Sequence, residues 1–193
     1  MRAILDPEMR HTLKSRVHLA ARLLVAFAVL ALGTLLWAAD SESAPEDERV
    51  VVLVGVDSII HPVAEEFIVD SLAQADDLDA EAFVIELSTP GGLLTSTREI
   101  FTAMLEAETP VVVFVSPRGS QAASAGFFLL MAADVAAMSP GTNTGAAHPV
   151  GGQGEEIEGP MGEKVEKDAA ATIRSLATRS GRNAELAEEA VLE

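Results

Sequence analysis

The sequence predicts an α/β fold with a mainly parallel sheet, preceded by an N-terminal apolar helix. Three observations carry this reading. Residues 50–56 (VVVLVGV), 82–87 (AFVIEL) and 111–115 (VVVFV) are short continuous apolar runs, the pattern of strands buried on both faces. Between them lie segments with apolar residues at helical spacing, and strands alternating with helices imply crossovers and a parallel sheet. At the start of the chain, Arg10, Lys14, Arg16 and Arg22 precede the uncharged apolar run 23–39.

Taken in order, residues 1–39 have the layout of an export signal: positive flank, apolar stretch, then small residues. The run is long for the apolar core of a cleaved signal and just short of a bilayer span. Trp37 is bulky for the position three before a cut after Ala39, so cleaved signal and membrane anchor both remain open. Either way, basic residues that stay inside place the remainder outside the cytoplasm, and an uncleaved anchor would hold it at the membrane. Residues 40–49 are acidic and polar with one proline, a linker. The third segment, 50–193, is read as one domain.

Within that domain the first strand is followed by a helix over 61–75, with Val63, Phe67, Ile68 and Leu72 on one face. The second strand ends in a turn at Pro90–Gly92, and residues 94–108 read as the next helix. The third strand closes at 116–119. Residues 122–131 are apolar and small, a buried helix, and 135–138 form a short fourth strand. A loop runs over 140–154. An Ala-rich helix over 164–180 stops at Gly181, and Asn183 caps a last short helix. The chain ends at Glu193 within a helical pattern, as a domain cut short would.

Charge and composition exclude several functions. The net charge is −17, but residues 1–39 carry +3 and the rest −20, so the body repels phosphate backbones and no nucleic-acid partner is expected. With no cysteine, neither disulfide nor thiolate metal site can form. Four scattered histidines without His-x-x-x-His spacing predict no metal site.

Two glycine-rich turns sit just after predicted strands, where open α/β sheets place their sites. In Ser88-Thr89-Pro90-Gly91-Gly92 the proline stiffens the backbone and the glycines let N–H groups approach a ligand. Taken singly, such a tetrad is usually only a turn. In the second, residues 119–126 (GSQAASAG), Ser124 stands among small residues at the mouth of an apolar helix, whose free N–H groups suit an oxyanion. Alone, that segment reads as close helix packing. Together the turns offer a serine nucleophile and two pre-aimed donors, Gly92 and Ala125, for the oxygen that becomes negative.

Residues 88–92, 119–126 and 140–150 (PGTNTGAAHPV), in this order and spacing, resemble the NfeD-type membrane serine proteases. These belong to the class of the Clp proteolytic subunit and signal peptide peptidase A, and the resemblance runs from about Val50 to Glu193. It implies a Clp/crotonase-like ββα spiral, a Ser-Lys dyad, no metal or organic cofactor, self-association as a homo-oligomer, and cleavage of an apolar segment of a stomatin-like membrane protein. The family's nucleophile falls on Ser124. Its lysine falls at the head of the helix after the variable loop, on Lys164, with Lys167 as fallback. A lysine serves as base only where burial or a nearby cation lowers its pKa, and Lys164 stands between Glu163 and Glu166. Gly91, Phe127 and Phe128 are expected in the substrate pocket.

His148 is the rival base, in a context resembling the catalytic-histidine segment of the Clp proteolytic subunit. Imidazole suits proton transfer near neutrality, though the aspartate of a Clp-type triad lies beyond this length. Asp134 reads as a cap or turn residue; most loops like 151–162 are merely mobile, though its place between nucleophile and base also suits a flap. Two further readings stand beside the peptidase. One is a non-catalytic membrane scaffold for a stomatin-like partner. The other is an acyl-CoA crotonase, against which export and the Ser124 motif both speak.

Overall fold

The structure, a computed structural model, describes residues 49–152 and 154–192 together with Leu24. The predicted signal or anchor and the linker therefore lie, but for Leu24 and Arg49, outside the described residues. Among those described, no helix is long and apolar enough to cross a membrane. Residues Arg49–Glu193 form one compact unit.

Its elements follow in order: β1 (Val51–Asp57), α1 (Pro62–Asp77), β2 (Ala82–Ser88), α2 (Leu94–Glu106), β3 (Val111–Val115), β4 (Gln121–Ala123), α3 (Ala125–Ala132), β5 (Val135–Met138), β6 (Asn143–Gly145), α4 (Gly159–Arg179) and α5 (Ala184–Leu192). A four-stranded sheet has the order β1-β2-β3-β5, and β4 and β6 form a second, two-stranded sheet. Every pairing in both is parallel, as the strand–helix alternation requires.

The main sheet departs from expectation on one face. Val54, Ile85 and Val113 stand side by side and are buried against the helices. On the other face Leu53, Val84 and Val112 are also neighbours, yet Leu53 is 63% exposed. Among the described residues the first strand is therefore covered on one side only, because it lies at the sheet edge and the helices pack on the opposite face. In α1 the buried stripe is Ala64, Ile68, Leu72 and Ala75, so the predicted Val63 and Phe67 are left exposed. One residue of helix rotates a side chain by roughly 100°, enough to move Val63 off the face that Ala64 occupies.

Two short strands replace parts of the predicted helix and loop. Residues Gln121–Ala123 pair with Asn143–Gly145, so the helix starts at Ala125 and not at 122. The last helix begins as predicted: the Asn183 side chain accepts from the N–H groups of Glu185 and Leu186, at 3.1 and 3.2 Å. Gly181, at φ 69°, follows the end of α4 in the left-handed conformation that stops helices. Asp134 ties strand starts together, its Oδ2 accepting from the Val111 N–H at 2.9 Å. At the far end of α3, Arg182 donates to the carbonyls of Met131 and Ala133, Arg179 to that of Ala132, and the Ser180 hydroxyl to Met131. These carbonyls have no partner within the helix, so the turn after α4 anchors the helix that begins beside Ser124.

Candidate active site

Ser124 sits at the junction of β4 and α3 with φ 49° and ψ −109°. A residue with a Cβ rarely adopts this region, and holding one there costs on the order of 1–3 kcal/mol. The surroundings enforce it. The Ser124 N–H donates to the Gly145 carbonyl of β6 at 2.9 Å, while the Ser124 carbonyl accepts from Phe127 at 2.9 Å as α3 begins. The side chain makes no capping bond and is half-buried. Its hydroxyl faces the Pro90–Gly92 turn: a Cβ on Gly91 would lie 3.5 Å from Oγ and 3.0 Å from the Ser124 Cβ.

The turn is held from both sides. Gly91 has φ 131°, and its carbonyl accepts from the Ile60 N–H at 2.8 Å. The Leu93 N–H donates back to Ile60, and at Gly92 a Cβ would come within 2.1 Å of the Ile60 carbonyl oxygen. Only glycine fits there. The Gly91 N–H is used, donating to the Thr89 hydroxyl at 3.2 Å. By contrast, neither the Gly92 N–H nor the Ala125 N–H donates to any partner among the described residues.

Ser124, Gly91, Gly92, Ala125, Phe128 and His148 line a single cavity of about 810 Å³. Apart from Thr97 its remaining walls are apolar, with Leu94 from α2, Ile157 from the loop and Val165 from α4 among them. Phe127, expected in the pocket with Phe128, is buried in the core and does not line this cavity. The loop 151–162 opens as a tight turn, with Val150 bridged to Glu156 and the Gly151 N–H bonded to the Glu155 carbonyl at 2.7 Å. Val150, Gly151, Gly152 and Gly154 of this turn lie along the cavity.

The two candidate bases are placed differently. His148 is the one titratable side chain lining the cavity among the described residues. Its Nδ1 is 3.0 Å from the Val191 carbonyl oxygen at the end of α5, and the preceding Ala147 N–H donates to the Ala190 carbonyl at 2.7 Å. Helix α4 starts at Gly159, so Lys164 lies in the second turn and not at the helix head. Val165 and Ala169 present the cavity side of α4, while Lys164 is exposed and outside the lining. Lys167 is held 3.4 Å from Glu163, whereas Lys164 has no ion-pair or hydrogen-bond partner among the described residues. One helix wall is braced to the other by Arg98 of α2 and Asp168 of α4, 2.7 Å apart.

The parallel α/β fold resembles the Clp-like domain of solved structures. The chain belongs to the family described as NfeD1b, N-terminal domain, whose model matches residues 50–192. Among curated relatives, the membrane-bound protease PH1510 of Pyrococcus horikoshii is 42% identical over 118 residues, 60% of this chain and 26% of that protein. The membrane protein NfeD1b of Bacillus subtilis is 32% identical over 116 residues, 60% of this chain and 26% of that protein. The matches thus span about a quarter of each relative's length. The 1510-N membrane-bound stomatin-specific protease, solved as a mutant with a substrate peptide, superposes with a TM-score of 0.70 at 33% identity, covering 75% of this chain and 67% of that one. The 1510-N membrane protease specific for a stomatin homolog from Pyrococcus horikoshii gives 0.62 at 31% identity, covering 74% and 63%.

Proposed function

We propose that this chain carries the protease domain of a membrane-associated serine endopeptidase. It cleaves peptide bonds in an apolar segment of a stomatin-like membrane protein, with Ser124 as nucleophile and Lys164 as base. The frame is the ββα spiral of Clp/crotonase-like domains, held beside the membrane on its extracytoplasmic side and working as a homo-oligomer without metal or organic cofactor. The observation that carries the reading is the pair of N–H groups, Gly92 and Ala125, that have no partner among the described residues and lie on the walls of the cavity that holds Ser124.

In the reaction the Lys164 side chain, exposed on α4 beside the cavity-lining Val165, turns into the cavity as substrate covers it. The Ser124 oxygen attacks the scissile carbonyl as its proton passes to the Lys164 amine. The carbonyl oxygen becomes negative between the Gly92 and Ala125 N–H groups, each such donor being worth roughly 3 kcal/mol of barrier. Lys164 then returns the proton to the leaving amine, and an acyl-enzyme remains on Ser124. Water, deprotonated by the same amine, releases the second product. Leu94, Phe128, Ile157 and Val165 make the cavity suited to an apolar side chain. The relatives named for stomatin support the choice of substrate.

A second assignment of the base has its own support. A carbonyl oxygen only accepts, so the contact with Val191 requires a proton on His148 Nδ1 and leaves the Nε2 lone pair free in the neutral ring. The test covers both. A fluorophosphonate probe labels the wild type, and Ser124→Ala abolishes labelling and peptide cleavage. Lys164→Ala abolishes cleavage while His148→Ala does not; the opposite pattern assigns the base to His148. Partner capture that survives Ser124→Ala, with no cleavage by the wild type, would instead make the domain a scaffold.

A further inference from the structure

We propose that Thr89 is a positioning residue for catalysis, its buried hydroxyl aiming the Gly92 N–H at the oxygen that becomes negative. This rests on the peptidase reading above and adds a residue to it.

Thr89 is fully buried, 0% exposed, and does not line the cavity. Its hydroxyl makes two contacts with a single residue, donating to the Gly91 carbonyl at 3.0 Å and accepting from the Gly91 N–H at 3.2 Å. The first contact bears on Gly92. In a planar trans peptide the C=O of one residue and the N–H of the next point in opposite directions. The Gly91 carbonyl is held by two donors, the Thr89 hydroxyl and the Ile60 N–H at 2.8 Å. Fixing that carbonyl fixes the Gly92 N–H on the opposite side of the same peptide bond, with no hydrogen bond to it from the described residues. Glycine at positions 91 and 92 leaves this plane otherwise free to turn, since neither residue has a Cβ to restrain it. The second contact occupies the Gly91 N–H, so the donor left over from this turn is that of Gly92.

The same residue ties this turn to the nucleophile. The Thr89 N–H donates to the Gln121 carbonyl at 2.7 Å, and the Thr89 carbonyl accepts from the Ala123 N–H at 3.1 Å. Both partners belong to β4, the strand that delivers Ser124. Across the junction, a Cβ on Gly126 would lie 2.7 Å from the Thr89 methyl carbon, so the methyl packs directly on the first turn of α3. Thr89 thus sets the spacing between the two segments that supply Gly92 and Ala125. Preorganised donors accelerate a reaction because they need no reorientation as charge develops, and a freely turning peptide loses that advantage.

Two variants of the full chain separate the hydroxyl from the methyl. Thr89→Val keeps the shape and removes the hydroxyl; Thr89→Ser keeps the hydroxyl and removes the methyl. The expected result is a fall of about 100- to 1000-fold in kcat and in the rate of fluorophosphonate labelling for Thr89→Val, the span for loss of one oxyanion donor. KM for a peptide substrate stays within about threefold, because the ground-state pocket is unchanged. Thr89→Ser returns kcat to within about fivefold of wild type. Circular dichroism confirms that each variant is folded, and amide exchange at Gly91 rises in Thr89→Val while that of buried Val113 does not. Wild-type rates in Thr89→Val, or equally slow Thr89→Val and Thr89→Ser, would overturn the role assigned to the hydroxyl while leaving the peptidase reading intact. A wild type that neither labels nor cleaves overturns the peptidase reading, and this role with it.

Discussion

The amide of Ser124 donates to the carbonyl of Gly145 at 2.9 Å, and this contact joins the end of β4 to the end of β6 at the point where the backbone turns into α3. Both residues have positive φ, 49° at Ser124 and 110° at Gly145. The hydroxyl is thereby lifted out of the helix and turned to the glycine turn at 90–92. Glycine adopts this conformation without strain, whereas alanine does not. Ser124→Gly should therefore be more stable than Ser124→Ala by about 1 kcal/mol in urea unfolding, although both are inactive. Equal midpoints would show that position 124 stores no strain.

Gly126 lets the Thr89 methyl pack on the first turn of α3, since a Cβ there would lie 2.7 Å from Thr89 and 3.1 Å from the Ala122 Cβ. Both neighbours are buried and cannot swing aside. Gly126→Ala should cost about 1–3 kcal/mol of stability by overpacking. It should also slow probe labelling of Ser124, because the two turns must part to admit the methyl. A stable variant with wild-type labelling would refute this.

His148 should act on the cavity wall even where Lys164 carries the proton. Its ring holds the 146–149 segment to the end of α5 through Val191. Loss of that bond in His148→Ala is expected to lower stability by about 1 kcal/mol. Labelling should persist at a reduced rate. Complete loss of labelling in a folded His148→Ala protein contradicts the lysine assignment.

Arg182 donates to Met131 and Ala133 at 3.3 and 2.8 Å, and burial lowers its pKa while Asp134 opposes that shift. It remains charged, as guanidinium groups in proteins do. Arg182→Ala strips two carbonyls of a charged donor and should cost about 1–3 kcal/mol, read by thermal melting. Since it lies at the opposite end of α3 from Ser124, labelling per folded molecule should not change.

Asp76 gives the pH dependence of stability a definite sign. The Thr109 hydroxyl and, at 2.8 Å, its N–H bond the carboxylate and hold its pKa below the ordinary value, with burial opposing them. A depressed carboxylate contributes stability that is complete above the unfolded value of about 4 and fades as pH falls through the lower folded one. Asp76→Asn should thus be less stable than wild type at pH 7, with the difference shrinking below pH of about 4 in urea titrations. The group is largely solvated, so the effect is small. A difference that grows on acidification contradicts the mechanism.

By itself the sequence determined the order of strands and helices, the two glycine turns, and the ends marked by Gly181 and Asn183. Each of these is encoded within a few residues: β-branched runs, helical spacing, a cap side chain, a glycine where φ is positive. Tertiary structure alone decided what depends on distant partners. Gln121–Ala123 became a strand because Asn143–Gly145 lies beside it, and nothing in three small residues announces such a pairing. β1 kept one face open because no helix of the described residues packs there, although its apolar run reads the same with or without a cover. Likewise Thr89, which in the sequence is only the residue before a Pro-Gly-Gly turn, acquired its contacts when the turn folded back on its hydroxyl and β4 came alongside. Local sequence sets each residue's backbone preference, but which side chain meets which amide is settled only when the segments pack.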